Sequence, residues 1–280
     1  MISYILYRTA SFLTGLLPRA CCTRIAAAIA FLFFAFRPSI RRNVRMNFDR
    51  LGMRPDSVFP VFRNFSRAVA DLLRLSHMSR EELVAQCAAS GIENIDRALA
   101  KGKGAILVAP HLGPWELAGA YMSCLGYRIH SAALEHPSAR VTRFFSEKRR
   151  AWGISDYPSN ACGHALMKAL GRNEAVVLLI DRNFSKRGIR VRFLGADVLL
   201  PDGHIALAMR TGASLLPCCC WYGPEGAVEL SVGEEIRAGD ADDPRAAIGR
   251  ACAAGIEEFI RSHPEQWFAF DHLWSSERHV

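Results

Sequence analysis

Short, uninterrupted apolar runs alternate along this chain with longer amphipathic segments. The runs "AILVA" (105–109) and "AVVLLI" (175–180) contain no polar residue, which is typical of strands buried on both faces of a sheet. Apolar residues at helical spacing predict helices between the strands. The pattern predicts strands at 105–109, 127–133, 175–180, 189–193, 214–221 and 227–232, and helices at 58–75, 115–125, 138–151, 164–171, 201–213 and 244–262. We therefore expect an α/β fold with a mixed, partly parallel sheet flanked by helices.

The N-terminal part has a different pattern. The segment "IAAAIAFLFFAF" (25–36) carries no charge over 12 residues, which is short for a bilayer span of roughly 20 residues. Residues 1–50 hold eight arginines and a single acid, Asp49, in a chain whose net charge is +8. Arginine mixed with large apolar residues is typical of a helix at an anionic membrane surface and argues against nucleic acid as the partner.

This pattern predicts two parts of the chain. Residues 1–40 are expected to form a helical membrane-associating segment, and residues 41–280 the main domain. A helical hairpin buried within the protein is the alternative for the first part. A cleaved signal peptide is not favoured, because the basic residues follow the apolar run instead of preceding it.

Composition adds little chemistry. Apolar residues make up half of the chain and charged residues 22%, which suits a folded domain with a real core. The nine cysteines show no Cys-x2-Cys spacing and sit largely in apolar stretches. We interpret them as small buried hydrophobic residues and expect neither a metal site nor a disulfide framework.

One histidine has the position of an active residue. The spacing His-x4-Glu occurs four times, but only the pair His111 and Glu116 follows a predicted buried strand, and active residues of α/β sheets cluster beyond the carboxyl ends of strands. Gly113 permits a sharp turn and Pro114 suits the start of a helix, so Glu116 would fold back towards the imidazole. A carboxylate at Nδ1–H leaves Nε2 able to take a proton from a hydroxyl. The alternative is a helix-capping histidine, with Glu116 favoured by the helix dipole.

Asp181 lies at the equivalent place, directly after the second buried run. The chain shows no Gly-x-Ser-x-Gly nucleophile elbow, so a covalent acyl-enzyme is not favoured. The chemistry that fits is direct. A base activates the hydroxyl of a substrate, and this hydroxyl attacks an acyl carbonyl.

The segment "HLGPWE" (111–116) resembles the His-x4-Asp/Glu block of glycerolipid acyltransferases, in the form seen in bacterial lipid A late acyltransferases and phosphatidylinositol mannoside acyltransferases. Further segments are similar to other blocks of this family, in the same order along the chain: "RRNVRMNF" (41–48), "LLIDRN" (178–183), "VRFLGADVLLPDGHIALAMRTGASLLP" (191–217) and "HPEQWF" (263–268). One block alone is weak evidence, whereas an ordered series is specific.

The resemblance implies a glycerol-3-phosphate acyltransferase-like fold and a membrane-associated O-acyltransferase at the cytoplasmic face of the inner membrane. The acyl donor would be a thioester of acyl carrier protein or coenzyme A, with no other cofactor. The acceptor would be a glycolipid hydroxyl, a lipid A precursor being the first expectation. A phospholipid or mannosylated phosphoinositide acceptor, a hydrolase that uses water, and a non-catalytic lipid-binding relative are the alternatives.

The resemblance also implies roles for individual residues. His111 matches the general base and Glu116 its orienting partner. Asp181 and Arg182 match a block that supports the active site, where both are expected to contribute to substrate binding. Arg149 and Arg150 match a basic segment, where a cation would suit an acceptor phosphate or the phosphopantetheine of the donor. A solvated helix face is the alternative for these two arginines.

Overall fold

The structure, a computed structural model, describes residues 2–185 and 187–274. Its helices are α1 (Ile2–Leu16), α2 (Arg19–Phe36), α3 (Pro38–Arg50), α4 (Phe59–Arg74), α5 (Arg80–Ala85), α6 (Ile92–Leu99), α7 (Trp115–Cys124), α8 (Ala139–Ala151), α9 (Gly163–Gly171), α10 (Gly203–Thr211) and α11 (Pro244–Ser262). Its strands are β1 (Cys87–Ser90), β2 (Ala105–Ala109), β3 (Ile129–Ala133), β4 (Ile154–Pro158), β5 (Ala175–Leu179), β6 (Ile189–Phe193), β7 (Ala196–Leu200), β8 (Ser214–Tyr222) and β9 (Val228–Val232).

A seven-stranded sheet forms the centre of the protein, in the order β1-β9-β8-β2-β5-β3-β4. Within the described residues, β8 and β9 run antiparallel and the other neighbours in this sheet run parallel. Strands β6 and β7 form a separate antiparallel hairpin. The predicted fold class, a mixed and partly parallel sheet flanked by helices, is therefore confirmed.

Each face of the sheet packs on its own apolar core. One core contains residues of α4, α7 and α8, and the other contains residues of α9, α10 and α11. Strand β2 lies between them with all five residues buried, as its unbroken apolar run predicts. Full burial of a large aliphatic side chain is worth about 1.5–3 kcal/mol, so this central strand is strongly held.

The register of the two central strands positions the site. Strands β2 and β5 are parallel neighbours, with Ala109 opposite Leu179. The backbone N–H of Ile180 also donates to the carbonyl of Ala109, at 2.9 Å. His111 and Asp181 each lie two residues further along, so they come to the same level beyond the carboxyl edge of the sheet.

The N-terminal helices pack on the body of the protein along one side. The Ser11 hydroxyl donates to the carbonyl of Leu73 at 3.1 Å, and the buried Lys148 ammonium donates to the Ser11 hydroxyl at 2.8 Å. On α2, the Phe34 ring contacts the ring of Phe62. The expected boundary after residue 40 falls inside α3.

The other side of α1 and α2 is apolar and open to the surroundings. A buried hairpin therefore accounts for only one side of these helices. Judged by length and composition alone, α2 is long and apolar enough to cross a membrane. The large apolar side chains exposed on the two helices are Ile5, Leu6, Phe12, Leu13, Leu16, Ile25, Ile29, Phe31, Leu32, Phe33 and Phe36.

Candidate active site

His111 is held by a buried carboxylate. Its Nδ1 lies 2.6 Å from Oδ1 of Asp181, whose side chain is fully buried. The other oxygen, Oδ2, accepts a hydrogen bond from the Trp267 indole Nε1–H at 2.8 Å. Burial raises the pKa of Asp181, but the interaction with His111 and the hydrogen bonds from His111 and Trp267 outweigh it, so the pKa is lowered. The ionised carboxylate keeps the proton on Nδ1, which leaves Nε2 as the acceptor.

Glu116 does not occupy the place expected for it. Both of its carboxylate oxygens accept from Arg149, at 2.6 Å from Nη2 and at 3.0–3.1 Å from Nε. A bidentate bond to a guanidinium is charge-assisted and stronger than a bond to a neutral imidazole. Glu116 therefore binds Arg149 and not His111. The expectation that Glu116 orients His111 at Nδ1 is wrong, because Asp181 holds that position.

Arg149 is already paired with two carboxylates, so its charge is less available to a substrate phosphate. Besides Glu116, it donates from Nη1 to Oδ2 of Asp156 at 3.0 Å. Burial lowers the pKa of Arg149, but Glu116 and Asp156 raise it by more than burial lowers it. The pKa of Arg149 therefore lies above its usual value. The arginine borders the cavity beside His111, whereas the exposed Arg150 is not among the described residues that line it. Phosphate binding by either arginine stays a prediction.

The C-terminal segment around Trp267 clamps the loop that carries His111. The backbone N–H of Phe268 donates to the His111 carbonyl at 2.8 Å, and the N–H of Gly113 donates to the Gln266 carbonyl at 3.0 Å. Trp267 therefore orients Asp181 through its side chain while its neighbours hold the histidine loop. The "HPEQWF" block signals that this segment matters, but its pattern contains nothing that assigns the indole to Asp181.

Gly113 makes the tight turn after His111 possible. Its φ is +61°, and a Cβ at this position would lie 2.1 Å from the carbonyl oxygen of Cys220. A larger residue would therefore suffer both backbone strain and a steric clash with β8. The turn leads directly into α7 and places Glu116 in its first turn.

A cavity of about 900 Å³ opens beside His111 and reaches both faces of the sheet. We call the part under α7 the apolar arm; it is lined by Ala118, Gly119, Met122, Ile129, Ile154, Val177, Leu179, Cys218, Cys220 and Leu230. We call the part under α9 and α10 the polar arm, because its lining includes Ser159, Asn160, Asn183, Ser185, His204 and Arg210. Apolar side chains complete its walls: Cys162, Leu166, Met167, Leu178, Ile180, Phe184, Leu207 and Cys219. Arg182 also borders the cavity and pairs with Asp271.

Comparison with known proteins gives the class of this fold and site. The chain belongs to the bacterial lipid A biosynthesis acyltransferase family, whose model matches residues 1–276. It is 28% identical to a phosphatidylinositol mannoside acyltransferase of Mycobacterium tuberculosis (strain CDC 1551 / Oshkosh), over 75% of this chain and 68% of the relative. It is 26% identical to that of Mycolicibacterium smegmatis, over 86% and 82%.

A second kind of relative shares the same activity. The chain is 25% identical to a lipid A biosynthesis acyltransferase of Haemophilus influenzae, over 63% of this chain and 55% of the relative. Family and relatives agree on acyl transfer, so the protein is an acyltransferase. The family that the sequence blocks resemble is confirmed.

Proposed function

We propose that this protein transfers a fatty acyl group from a thioester to a hydroxyl of a glycolipid, with His111 as the general base. The observation that carries the proposal is the bond between His111 Nδ1 and the buried carboxylate of Asp181. Asp181 fixes the tautomer, and no described residue bonds to Nε2 at the cavity. A neutral imidazole in this arrangement is suited to proton abstraction from an alcohol.

The reaction follows from this geometry. The acceptor hydroxyl gives its proton to Nε2 of His111 while its oxygen attacks the thioester carbonyl carbon. The new carbon–oxygen bond forms, the carbon–sulfur bond breaks, and the departing thiolate takes the proton back from the imidazolium. Asp181 stabilises the imidazolium between the two proton transfers. The N-terminus of α7, close after His111 in the chain, favours the negative charge that develops on the carbonyl oxygen.

The apolar arm suits the acyl chain. Its lining includes Ile129, which pairs with Ala175, at the level of Ala105 on β2. His111 lies six residues beyond Ala105, which is roughly 20 Å along an extended strand. A straight fatty acyl chain with its carbonyl at His111 would reach down towards Ile129, surrounded by apolar side chains.

The relatives support a glycolipid as the acceptor. Two are named phosphatidylinositol mannoside acyltransferases and one a lipid A biosynthesis acyltransferase. We propose a lipid A precursor as the first candidate and a mannosylated phosphoinositide as the second. Arg182 and Arg210, which both border the cavity, are the cations suited to a head-group phosphate. The thioester would come from acyl carrier protein or coenzyme A.

The exposed apolar side of α1 and α2 supports a membrane location, for which we propose the cytoplasmic face of the inner membrane. A series of aromatic contacts runs from His111 through Trp115, Phe268 and Phe65 to Phe270, and on to the rings of Phe62 and Phe34. Packed aromatic rings therefore connect the end of α2 with the loop that carries His111.

Replacing the base tests the activity directly. Mass spectrometry of membrane lipids from cells with and without this gene should show one glycolipid that differs by a single acyl chain. His111→Ala should abolish this difference, because Nε2 is lost. His164→Ala, which changes an exposed histidine of α9, is the matched control and should retain the product. Near-normal product from His111→Ala would rule out the general-base role.

The depth of the apolar arm should set the acyl chain length. Ile129→Phe fills the lower part of the arm and should shift the product towards shorter chains, and Ile129→Ala should shift it towards longer ones. Product masses obtained with a mixture of acyl thioesters check the prediction. Unchanged chain preference in both variants would place the acyl chain elsewhere. Overpacking by phenylalanine costs about 1–3 kcal/mol, so folding is checked by thermal melting.

Washing isolated membranes distinguishes a protein that lies at the membrane interface from one that spans the bilayer. With eight arginines in its first 50 residues, a protein lying at the interface is held partly by attraction to anionic lipids, which salt screens. We expect more of this protein to leave isolated membranes in high salt than of a spanning control protein. Retention through both high salt and alkaline washing would instead indicate that α2 spans the bilayer.

A further inference from the structure

His204 is a buried histidine without a partner. It is the second residue of α10 and only 2% exposed, yet neither Nδ1 nor Nε2 forms a hydrogen bond with any residue that the structure describes. Buried polar atoms without partners destabilise a fold, and native proteins keep few of them. His204 is among the described residues that line the polar arm of the cavity. A ligand in this arm is therefore the natural partner for the imidazole.

Another buried histidine of the chain has hydrogen-bond partners for both of its ring nitrogens. His130 on β3 is also buried, but its Nε2 lies 2.8 Å from Glu174 and its Nδ1 lies 3.1 Å from the Tyr157 hydroxyl. Its polar atoms are satisfied within the protein, and it is not among the described residues that line the cavity. The lack of partners at His204 is thus a property of its place in the polar arm.

The chemistry of the ring limits the ligand. Burial lowers the pKa of His204 to about 4, although Asp202 acts in the other direction, so the ring is neutral at physiological pH. A neutral imidazole offers one N–H donor and one nitrogen acceptor. A phosphate needs cations or several donors, and a hydrocarbon has nothing to pair with these atoms. A hydroxyl group both donates and accepts, so it complements the ring.

The position of the ring indicates which substrate carries this hydroxyl. The polar arm also contains the uncharged side chains of Ser159, Asn160 and Ser185, together with the cation Arg210, which suits a head-group phosphate. It lies on the opposite face of the sheet from the apolar arm, and the two arms meet near His111. If the apolar arm holds the acyl chain, the polar arm is left for the head group of the acceptor.

We propose that His204 binds a hydroxyl group of the sugar or polyol head group of the acceptor lipid, and so selects glycolipids over lipids without such a head group. The proposal rests on the function proposed above. It assigns to His204 a role in binding and specificity, with no part in the proton transfers at His111.

Equilibrium binding tests this without turnover. In a His111→Ala background, dissociation constants are measured for detergent micelles that contain a phosphatidylinositol mannoside or phosphatidate, and for palmitoyl-CoA. Adding His204→Leu should weaken binding of the mannoside about tenfold or more. It should leave phosphatidate and palmitoyl-CoA within about twofold. His204→Asn, which keeps one donor group and one acceptor, should restore much of the affinity for the mannoside.

The controls separate recognition from folding. Ile205→Val trims a fully buried neighbour on the same helix that is not among the described residues lining the cavity, and should change none of the three dissociation constants. His204→Leu should melt at the same temperature as its parent or higher, because it removes buried unpaired polar atoms. His204→Phe provides the same test if the leucine variant does not fold.

The outcomes are distinct. Unchanged mannoside affinity in a folded His204→Leu or His204→Phe protein overturns the proposal. A loss confined to palmitoyl-CoA also overturns it, because it would place the amides of the donor in the polar arm, and an equal loss for phosphatidate would show no selection of the head group. Failure of the protein with intact His111 to acylate any glycolipid would sink the proposed function instead, and the binding measurements would still report on His204.

Discussion

The contact between His111 and Asp181 depends on the parallel pairing of β2 and β5. Because Ala109 lies opposite Leu179, the first polar residues beyond the two strands meet at one level. A shift of the register by one residue would turn one of these side chains towards the other face of the sheet and separate the pair. The buried β2 strand, the clamp formed by residues 266–268 and the turn at Gly113 all hold this single contact in place.

The arrangement explains why Asp181 and Glu116 have different surroundings. Asp181 is fully buried and has two hydrogen-bond donors, His111 and Trp267, so its charge is directed at the imidazole. Glu116 faces Arg149, which also binds Asp156, and the three link α7, α8 and β4. Glu116 thus supports the wall of the cavity, while Asp181 sets the state of the histidine.

Local pattern was enough to predict the central strands, most helices and the position of His111 beyond the carboxyl edge of the sheet, since unbroken apolar runs mark buried strands. The strands that it missed are short or lie away from the centre of the sheet: β1 is "CAAS", β4 is "ISDYP", and β7 belongs to the separate hairpin. Such segments become strands through their neighbours and carry little periodicity of their own.

The sequence pattern could not predict which carboxylate binds His111, for a related reason. Glu116 is five residues away in the chain and Asp181 is 70 away, and only the pairing of β2 with β5 brings the distant carboxylate closer. Likewise, Arg149 comes from α8 and Trp267 from beyond the last helix. Spacing along the chain could place candidates at the correct edge of the sheet, but it could not decide between two carboxylates.

The choice between these carboxylates is also the most direct test of the account. Acyl transfer by purified protein is compared for Asp181→Asn and Glu116→Gln, two substitutions that each remove one negative charge at nearly constant volume. The account predicts that Asp181→Asn lowers kcat about 10²–10⁴-fold, because the imidazole loses its tautomer control, while Glu116→Gln retains most of the rate in protein that stays folded. A severe loss in Glu116→Gln together with near-normal turnover in Asp181→Asn would contradict it.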